Sequence, residues 1–507
     1  MKTKNKEIAS FLNFDSTCLA LLFLCIFLLT TFKIITNDIW YELAHGRHFL
    51  EHPSLRFTDV FTFTAYGQPF IDQEWGSEVI FYLLYQLGGI NGLIVCKTLL
   101  FLAAFGLLFK IIKNNGVSSA IAFWIVFLAI AVSRFRLTVR PDMFSMCFTV
   151  IFLYLLESFI NGKRKTVFIL PILMLIWTNL HYGSIIGLCL IGIYAVSALK
   201  DPKAKHLFIV LALCILAALV NPGGINLFTL PLRIAEISLK NNIIECSPPY
   251  HFSWTWFPLF WSLLVIYSVI VAVSFKNLKL REILLYGFAV FLVMKMLRFI
   301  PYFAVISSIV ISRQIPGLLN QPGREGKPAP VYENLFFIGL FSLSLSLGLI
   351  TSKTGFLERY IFGYGINENK HPMAAIKFLA GHHLDGNIFN ENRYGGQIAF
   401  MRYPQNKIFM YGRYGSLFQE KYFDEYYAIL AAQEGWEERL NTDRVEIILL
   451  DRQQSESNLF LALANSPHWH LVYQDALAVI FLKDVPRFKS TIEKYGYRLT
   501  FDTGASG

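Results

Sequence analysis

Long apolar blocks separated by short charged loops fill the first 350 or so residues of the chain. The blocks lie at 16–36, 89–112, 117–133, 141–160, 166–179, 183–199, 207–220, 257–275, 283–296, 299–312 and 333–351. A perpendicular helix needs about 20 apolar residues to cross a bilayer, and lipid forces every backbone polar group to bond within the helix. The pattern therefore predicts a polytopic α-helical membrane protein with about 11 transmembrane helices.

From about residue 353 the apolar runs shorten to strand length. Predicted strands are 387–390, 407–411, 445–451, 469–473 and 477–482, separated by helical stretches near 371–383, 418–431 and 456–464. Alternating short strands and helices are typical of a small soluble α/β domain. We therefore divide the chain into a transmembrane domain at 1–352 and an extracytoplasmic α/β domain at 353–507. A flexible linker is predicted at 321–330.

The first loop, residues 37–88, has its own internal order. Residues 38–52 form an amphipathic pattern that Pro53 stops, which predicts an interfacial helix. Residues 61–67 alternate and then turn, as a short hairpin does. Asp72-Gln73-Glu74-Trp75 opens another amphipathic helix, which leads through Gly88-Gly89 into the second span. No small-residue cleavage site follows the first span, so we expect that span to be retained.

Composition supports the membrane assignment. Of 507 residues, 55% are hydrophobic and 16% charged, and the mean hydropathy is +0.48, which excludes an ordinary soluble protein. The net charge of +10 comes from lysines and arginines in every second loop, so orientation explains it better than a nucleic-acid partner. Six of the seven cysteines lie in apolar blocks and none follows Cys246, which excludes a disulfide framework in the C-terminal third.

The positive-inside rule places the basic loops and the N-terminus in the cytoplasm. The C-terminal domain is then extracytoplasmic, and we expect a multi-pass protein of the cytoplasmic (inner) membrane. The loops on the outer side carry the unusual polar residues: Asp38, Glu74, Arg134, Arg136, Arg140, Asn179, His181, Asn221, Glu245 and Arg298. Polar groups at membrane depth cost free energy and usually mark functional sites, so this clustering is the main functional signal.

Several short motifs carry a family resemblance. They are Asn37-Asp38-Ile39-Trp40, Asp72-Gln73-Glu74-Trp75, Arg140-Pro141-Asp142, Trp177-Thr178-Asn179-Leu180-His181, Asn221-Pro222-Gly223-Gly224, Tyr394-Gly395-Gly396 and Gly412-Arg413. With the order of spans and loops, they resemble the GT-C superfamily of membrane glycosyltransferases, in particular bacterial enzymes related to protein mannosyltransferase and RgtA/B/C/D-like enzymes. Many members of the superfamily have two adjacent acids at the first loop. This chain has Asn37-Asp38, so the resemblance carries over Asp38 alone.

The resemblance implies an enzyme that moves a sugar from a polyprenyl-phosphate-linked donor to a lipid, glycan or protein acceptor at the outer face of the cytoplasmic membrane. The expected partners are that donor, the acceptor and membrane lipids. One alternative is an O-antigen-type polymerase or ligase acting on lipid-pyrophosphate glycans, which would depend on the outer arginines. The other is a non-enzymatic lipid or glycan transporter, which would need polar residues along a continuous path at the midplane.

Asp38 is the candidate general base, because a single well-placed carboxylate suits an inverting, one-step displacement. Glu74 is the candidate second acid, and it would orient the acceptor or bind a divalent cation such as Mg²⁺ or Mn²⁺. The alternative for both residues is helix-start electrostatics. No cofactor is certain from the sequence. His45, His48 and His52 share a helix spacing, but an interfacial polar face explains them better than a metal site.

The remaining candidates would bind substrate. Arg134, Arg136, Arg140 and Arg298 would bind the carrier phosphate, with anionic lipid headgroups as the alternative. Asn179, His181, Asn221 and Glu245 would line the cavity, with interhelical hydrogen bonds and a turn as the alternatives. Trp75 would stack on a sugar. It also belongs to a set of tryptophans near span ends that we expect at the membrane interface, with Trp40, Trp177, Trp254 and Trp256.

Overall fold

A computed structural model of the protein describes residues 14–163, 165–241, 243–319, 360–454 and 457–496. As far as they are described, the residues form two compact units. The helical unit comprises Met1–Ile34, Leu87–Phe228 and Asn242–Gly365, and the sheet unit comprises Ile35–Gln86, Thr229–Asn241 and Ile366–Gly507. Most of the first loop, which the sequence analysis assigned to the transmembrane domain, thus groups with the C-terminal residues.

The α-helices of both units are numbered here in chain order. They are α1 (Phe14–Thr30), α2 (Asp38–Glu51), α3 (Trp75–Lys113), α4 (Ser119–Ser133), α5 (Asp142–Ile160), α6 (Leu170–Leu180), α7 (Ser184–Ser197), α8 (Lys203–Ala218), α9 (Leu230–Lys240), α10 (Pro258–Val273), α11 (Leu280–Lys295), α12 (Ile300–Leu319), α13 (Met373–Gly381), α14 (Gly395–Arg402), α15 (Glu420–Leu430), α16 (Trp436–Thr442), α17 (Asn458–Asn465) and α18 (Lys489–Tyr495).

Ten of the predicted spans coincide with helices: α1, α3, α4, α5, α6, α7, α8, α10, α11 and α12. Within the described part of the chain, four helical segments are long and apolar enough to cross a membrane, namely Trp75–Lys113, Ser119–Arg136, Asp142–Ile160 and Leu297–Leu319. Shorter apolar helices are Asp15–Thr30, Thr166–Leu180, Ser184–Ser197 and Pro258–Val273. This supports a multi-pass membrane protein, and the count of eleven spans stays a prediction. The block at 333–351 and the linker at 321–330 lie outside the described residues.

Two backbone breaks occur where the sequence placed polar or glycine residues. Helix α3 leaves helical geometry at Gly89 (φ 58°, ψ −152°), a conformation that favours glycine because it has no Cβ. The predicted Gly88-Gly89 passage into the second span is thereby confirmed. Helix α11 ends at Lys295 and α12 begins at Ile300, because Met296 is extended (φ −153°, ψ 140°). The continuous apolar stretch at 283–312 is therefore two helices.

The sheet unit is built on a five-stranded mixed sheet. Its strands are β3 (Gly386–Asn390), β4 (Asn406–Ile408), β5 (Val445–Asp451), β6 (Trp469–Gln474) and β7 (Ala478–Lys483) in the order β4-β3-β5-β7-β6. Strand β3 pairs in parallel with both β4 and β5, whereas β7 pairs antiparallel with β5 and β6. All five predicted strands are confirmed. Strand β5 is central because Ile447–Leu450 are apolar on both faces and fully buried.

The predicted hairpin at 61–67 is wrong in its strand positions. The antiparallel pair consists of β1 (Phe57–Thr58) and β2 (Pro69–Phe70), and residues 61–67 form the turn between them. The cause is Asp59, whose carboxylate accepts hydrogen bonds from the backbone N–H (3.0 Å) and the hydroxyl (2.6 Å) of Thr62. A buried acid that bonds the backbone three residues later stabilises a turn at the expense of a strand.

Helix α2 packs against α14 and the segment after β4 through two glycines. A Cβ on Gly396 would lie 2.8 Å from the backbone nitrogen of Tyr41, and one on Gly412 would lie 2.7 Å from the ring of Tyr41. Contacts this short leave no space for any side chain, so the two glycines allow the approach. The predicted helix at 38–52 is confirmed, but its inner face is buried in protein.

Two tryptophans that we expected at the membrane interface are buried instead. Trp40 donates a hydrogen bond from Nε1 to Nδ1 of His371 (3.0 Å), and Trp177 donates one to the hydroxyl of Ser145 (2.7 Å). Each indole N–H has therefore found a protein partner, as buried tryptophans usually do. Trp254 and Trp256 are exposed, as the prediction requires.

Candidate functional site

Asp38 is the first residue of α2 and is half-buried, while Ile39 and Trp40 after it are fully buried. Its Oδ1 atom lies beside Gly412: a Cβ on that glycine would be 3.6 Å away. The N-terminus of a helix stabilises a negative charge, because its first N–H groups and the helix dipole point towards it. This carboxylate is therefore held at a partly open position beside the backbone of Gly412.

Three acids of the first loop surround one arginine from the C-terminal part of the sheet unit. The guanidinium of Arg413 binds both carboxylate oxygens of Asp72, at 3.2 and 3.1 Å, and forms an ion pair with Glu78. A carboxylate oxygen of Glu74 lies 3.8 Å from the same guanidinium. Asp72, Glu78 and Arg413 are almost fully buried, whereas Glu74 is partly exposed. The predicted second acid thus belongs to a cluster in which one guanidinium faces three carboxylates.

Two further titratable residues of α2 lie on the buried side of this cluster. Glu42 is 1% exposed, and its Oε2 has no hydrogen-bond partner among the described residues. Burial, followed by the negative charge of Glu74, raises the pKa of Glu42 well above its usual value. Burial and then the charge of Arg413 lower the pKa of His45 well below its usual value. At neutral pH His45 is therefore uncharged, and the shift of Glu42 favours its uncharged form. Arg413 pairs with the carboxylates of Asp72 and Glu78.

The raised pKa of Glu42 predicts how the sheet unit responds to pH. The neutral acid contributes its full stability below the unfolded-state value of 4.5, and this contribution is lost as the pH rises towards the higher folded-state pKa. As the pH rises above 4.5, wild type should therefore lose stability relative to Glu42→Gln, which cannot ionise, by up to about 1.4 kcal/mol per pH unit. The measurement is the free energy of unfolding in detergent micelles. Glu51→Gln, at the exposed end of α2, is the control, and its stability should vary with pH as that of wild type does. If the free energies of unfolding of wild type and Glu42→Gln change with pH in parallel, the prediction is wrong.

A set of three side chains raises the question of a metal ion. His45, Asp72 and Glu78 offer ligand atoms within 4.8 Å of one another, and all three are buried. However, both acids already bind Arg413, and Nε2 of His45 is hydrogen-bonded to the hydroxyl of Tyr411 at 2.8 Å. A divalent ion about 4 Å from a guanidinium is repelled by roughly 8 kcal/mol at an effective dielectric constant near 20. As arranged, these residues do not fit a divalent cation.

The three histidines of α2, His45, His48 and His52, do not lie together at one candidate metal site. His48 and His52 stack their rings on each other with centroids 4.9 Å apart, and neither belongs to the group around Asp72. Their role as a polar face on α2 agrees with the exposure of His52.

The helical unit contains a second cluster, made of arginines and acids. Arg136 forms ion pairs with Asp142 and Glu245, and Arg140 binds the same Glu245 oxygen at 2.8 Å. Although burial raises the pKa of Glu245, Arg136 and Arg140 together hold it well below its usual range. Arg298, the third guanidinium that acts on Glu245, lies over the ring of Tyr182 at 5.6 Å. Three cations thus face two carboxylates, which leaves one positive charge in excess.

The structure brings some of the predicted substrate-binding residues together and leaves others apart. Arg134 is not in the cluster just described; its guanidinium lies over the ring of Tyr360 at 5.0 Å. His181 is buried and bonds the hydroxyl of Ser145 at 2.7 Å, so it joins two helices. Trp75 packs on Phe49, with ring centroids 5.2 Å apart.

The two asparagines bond to the backbone. The amide of Asn179 donates to the carbonyl of Val220 at 2.8 Å. The amide of Asn221 donates to the carbonyl of Ala218 at 2.6 Å and accepts from the N–H of Gly223, which is a turn. These contacts match the structural alternatives for both residues, and their binding of a sugar stays a prediction.

Several residues of the two clusters were missed by sequence reasoning. Arg413 and Asp142 stood in the motifs that carried the resemblance but received no role. Glu42 had a local signal, because it lies four residues after Asp38 on the same helix face. Glu78 had the same local signal, because it lies four residues after Glu74, but nothing local indicated its partner Arg413, which is 335 positions away in the chain.

Comparison of the sequence with known protein families finds no match, and comparison with curated proteins finds none. Solved structures do match. The oligosaccharyltransferase AglB from Archaeoglobus fulgidus, in complex with an inhibitory peptide and a dolichol-phosphate, superposes with a TM-score of 0.60 at 11% identity over 93% of this chain and 75% of that one. The same protein tethered to an acceptor peptide gives 0.59 at 12% over 94% and 75%.

A second protein of the same superfamily also matches. ArnT from Cupriavidus metallidurans, bound to undecaprenyl phosphate, superposes with a TM-score of 0.50 at 12% identity, covering 93% of this chain and 98% of that one. AglB and ArnT are both membrane glycosyltransferases of the GT-C superfamily. At these identities the likeness concerns the fold, and it confirms the expected GT-C fold. The chain therefore has the fold of the GT-C membrane glycosyltransferases.

Proposed function

We propose that this protein transfers a glycosyl unit from a polyprenyl-phosphate-linked donor to an acceptor at the outer face of the cytoplasmic membrane. The observation that carries the proposal is the fold match over nine-tenths of the chain to two membrane glycosyltransferases whose structures contain polyprenyl phosphates, dolichol-phosphate in AglB and undecaprenyl phosphate in ArnT. The acceptor is a lipid, glycan or protein. The donor arrives within the membrane, so a nucleotide-binding loop is not required.

In this proposal Asp38 is the general base. Its carboxylate takes the proton of the acceptor hydroxyl, the hydroxyl oxygen attacks the anomeric carbon, and the bond from that carbon to the carrier phosphate breaks. A one-step displacement inverts the anomeric configuration. Asp38 suits this role because it is partly open at a helix N-terminus, whereas Asp72 and Glu78 are buried against Arg413. A base must reach the proton that it accepts, which the buried acids cannot do.

The arginines of the helical unit would bind the carrier phosphate. Arg136 is 4% exposed and tied to two acids, so it organises the cluster. Arg140 is 21% exposed and is the member best placed to donate to a ligand. The excess positive charge of the cluster favours an anion, and stabilisation of the phosphate as it leaves lowers the barrier to transfer. Glu245 orients the two guanidinium groups, and its own contact with a substrate stays a prediction.

A second candidate is transfer of a preassembled glycan from a lipid-pyrophosphate carrier. It is favoured by the higher TM-score of the oligosaccharyltransferase AglB, 0.60 against 0.50 for ArnT. A larger leaving group with a second phosphate would depend more on the arginine cluster than on a base.

Mass spectrometry of envelope lipids and glycans, with and without this chain, tests the proposal. We expect loss of one hexose, pentose or amino sugar from a single acceptor, restored by wild type and by Glu51→Gln. Loss of a whole oligosaccharide would favour the second candidate. Identical profiles would contradict transfer, and movement of a lipid-linked sugar into sealed vesicles without covalent change would indicate a transporter.

A further inference from the structure

In the sheet unit, Arg413 is the positively charged group that pairs with the first-loop acids Asp72, Glu74 and Glu78. We propose that its guanidinium takes the place that a divalent metal ion would otherwise take beside His45, Asp72 and Glu78. Arg413 is then a positioning residue for Asp38, and this group of side chains holds no divalent cation. The positioning role rests on the proposed function, whereas the exclusion of the metal ion does not.

The side chain of Arg413 is held at its two terminal nitrogens and at the face of its guanidinium. It is 6% exposed, binds Asp72 through two nitrogens and Glu78 through one of them. Its guanidinium carbon lies 5.3 Å from the ring centre of Tyr41 and 5.6 Å from that of Phe70. A planar guanidinium binds a carboxylate through two parallel N–H groups while its flat face stacks on aromatic rings, and neither a metal ion nor a lysine combines these two contacts.

The backbone of Arg413 is fixed as well. Its carbonyl oxygen accepts hydrogen bonds from the N–H groups of Leu417 and Phe418, at 3.3 and 3.2 Å, and its own N–H donates to Tyr411 at 2.8 Å. The preceding Gly412 lies against the ring of Tyr41 because it has no side chain. A tight turn thus holds Arg413 next to the acids. Moving Arg413 away from the acids would break these backbone hydrogen bonds.

The buried acids of the first loop require a positive charge beside them. Asp72 is fully buried, and although burial raises its pKa, the charge of Arg413 opposes that shift. A buried carboxylate without a cation would protonate or destabilise the fold. His45 is already hydrogen-bonded to Tyr411, whose hydroxyl also donates to Asp59 at 3.2 Å. A metal ion would have to displace both the guanidinium and this hydrogen-bonded chain.

The same contacts connect Arg413 to the candidate base. Tyr41, which lies under the guanidinium, is on α2 one turn after Asp38. Gly412, next to Arg413 in the chain, lies beside the carboxylate of Asp38. Arg413 therefore holds the first turn of α2 in position. Its loss should displace Asp38, although Arg413 itself does not contact the reacting atoms.

The test measures metal binding by the purified full-length protein. Wild type should contain less than about 0.1 divalent ion per chain by mass spectrometry, and EDTA or Mn²⁺ should leave its thermal midpoint unchanged. Arg413→Ala removes the competing charge and keeps His45, Asp72 and Glu78, so it should bind about one Mn²⁺ per chain, with a raised thermal midpoint. Adding Asp72→Asn to this variant should abolish the binding. Arg487→Ala, at an exposed surface ion pair, is the control and should behave as wild type.

A stoichiometric divalent ion in wild type that is lost on Asp72→Asn or His45→Gln would overturn the proposal, even if Arg413→Ala does not fold. A folded Arg413→Ala that binds no Mn²⁺ would also contradict it. These readouts do not require transfer activity, so a failure of the proposed function is seen separately. Where transfer is measured, Arg413→Ala should lower kcat more than it raises KM for the donor.

Discussion

Asp38→Asn should lower the rate of glycosyl transfer by about 10²–10⁴-fold, the usual contribution of a general base. Asparagine has nearly the same shape, so α2 and the close contact with Gly412 should be kept. The carboxylate is lost, and with it the acceptor for the proton of the attacking hydroxyl. The measurement is transfer to acceptor in proteoliposomes with a saturating polyprenyl-phosphate sugar donor, together with the amount of protein in the membrane.

Glu51→Gln is the matched control, because it neutralises an exposed acid at the other end of the same helix. It should retain wild-type activity. If Asp38→Asn shows normal abundance and normal transfer, Asp38 is not the base. If its abundance falls, the helix-start role of Asp38 accounts for the loss, and the thermal midpoint of the purified variant will show it.

Arg140→Ala should raise KM for the donor by about 10- to 100-fold, the value of one or two charge-assisted hydrogen bonds to a phosphate. The expectation follows from its place in the arginine cluster, where it is more exposed than Arg136 and shares the carboxylate of Glu245. Arg140→Lys keeps the charge but not the planar fork, so it should recover only part of the affinity. The measurement is transfer rate against donor concentration.

The control for Arg140 is Arg233→Ala, an exposed arginine on α9. A variant at Arg140 that loses activity but binds the carrier with normal affinity would remove the proposed phosphate contact. The pair of experiments at Asp38 and Arg140 also separates the two candidate reactions. Single-sugar transfer requires both residues, whereas transfer from a pyrophosphate carrier should depend mainly on the arginine.

The elements of the fold were largely readable from the chain because they depend on local periodicity. Ten helices and five strands lie where apolar runs and turn residues placed them. The hairpin and the two buried tryptophans differ from expectation because of side-chain hydrogen bonds, which are local for Asp59 and tertiary for Trp40 and Trp177. Residues 61–67 alternate as a strand does, but Asp59 bonds Thr62 and makes the segment a turn. Trp177 lies near a span end, yet its N–H reaches Ser145 in the interior, and hydropathy does not distinguish lipid from protein as surroundings.

The site was less readable because its partners are chosen in three dimensions. The acids Asp38 and Glu74 were found from their position after a span and at a helix start. The partner of the first-loop acids, Arg413, was not found. The position of an acid in the sequence does not indicate which of the 45 lysines and arginines will pair with it in the folded protein. Likewise Glu245 looked like a substrate ligand, and only its contacts with Arg136 and Arg140 show it as their partner.

The distance along the chain between Asp72 and Arg413 has a consequence for biosynthesis. The two residues are 341 positions apart, so at about 5–20 residues per second a ribosome needs roughly 20–70 s to reach the arginine after it has made the aspartate. During that interval the acids of the nascent first loop are without their cation. Premature termination anywhere before residue 413 should therefore yield a polypeptide that inserts into the membrane but never matures, and quality-control proteases should degrade it.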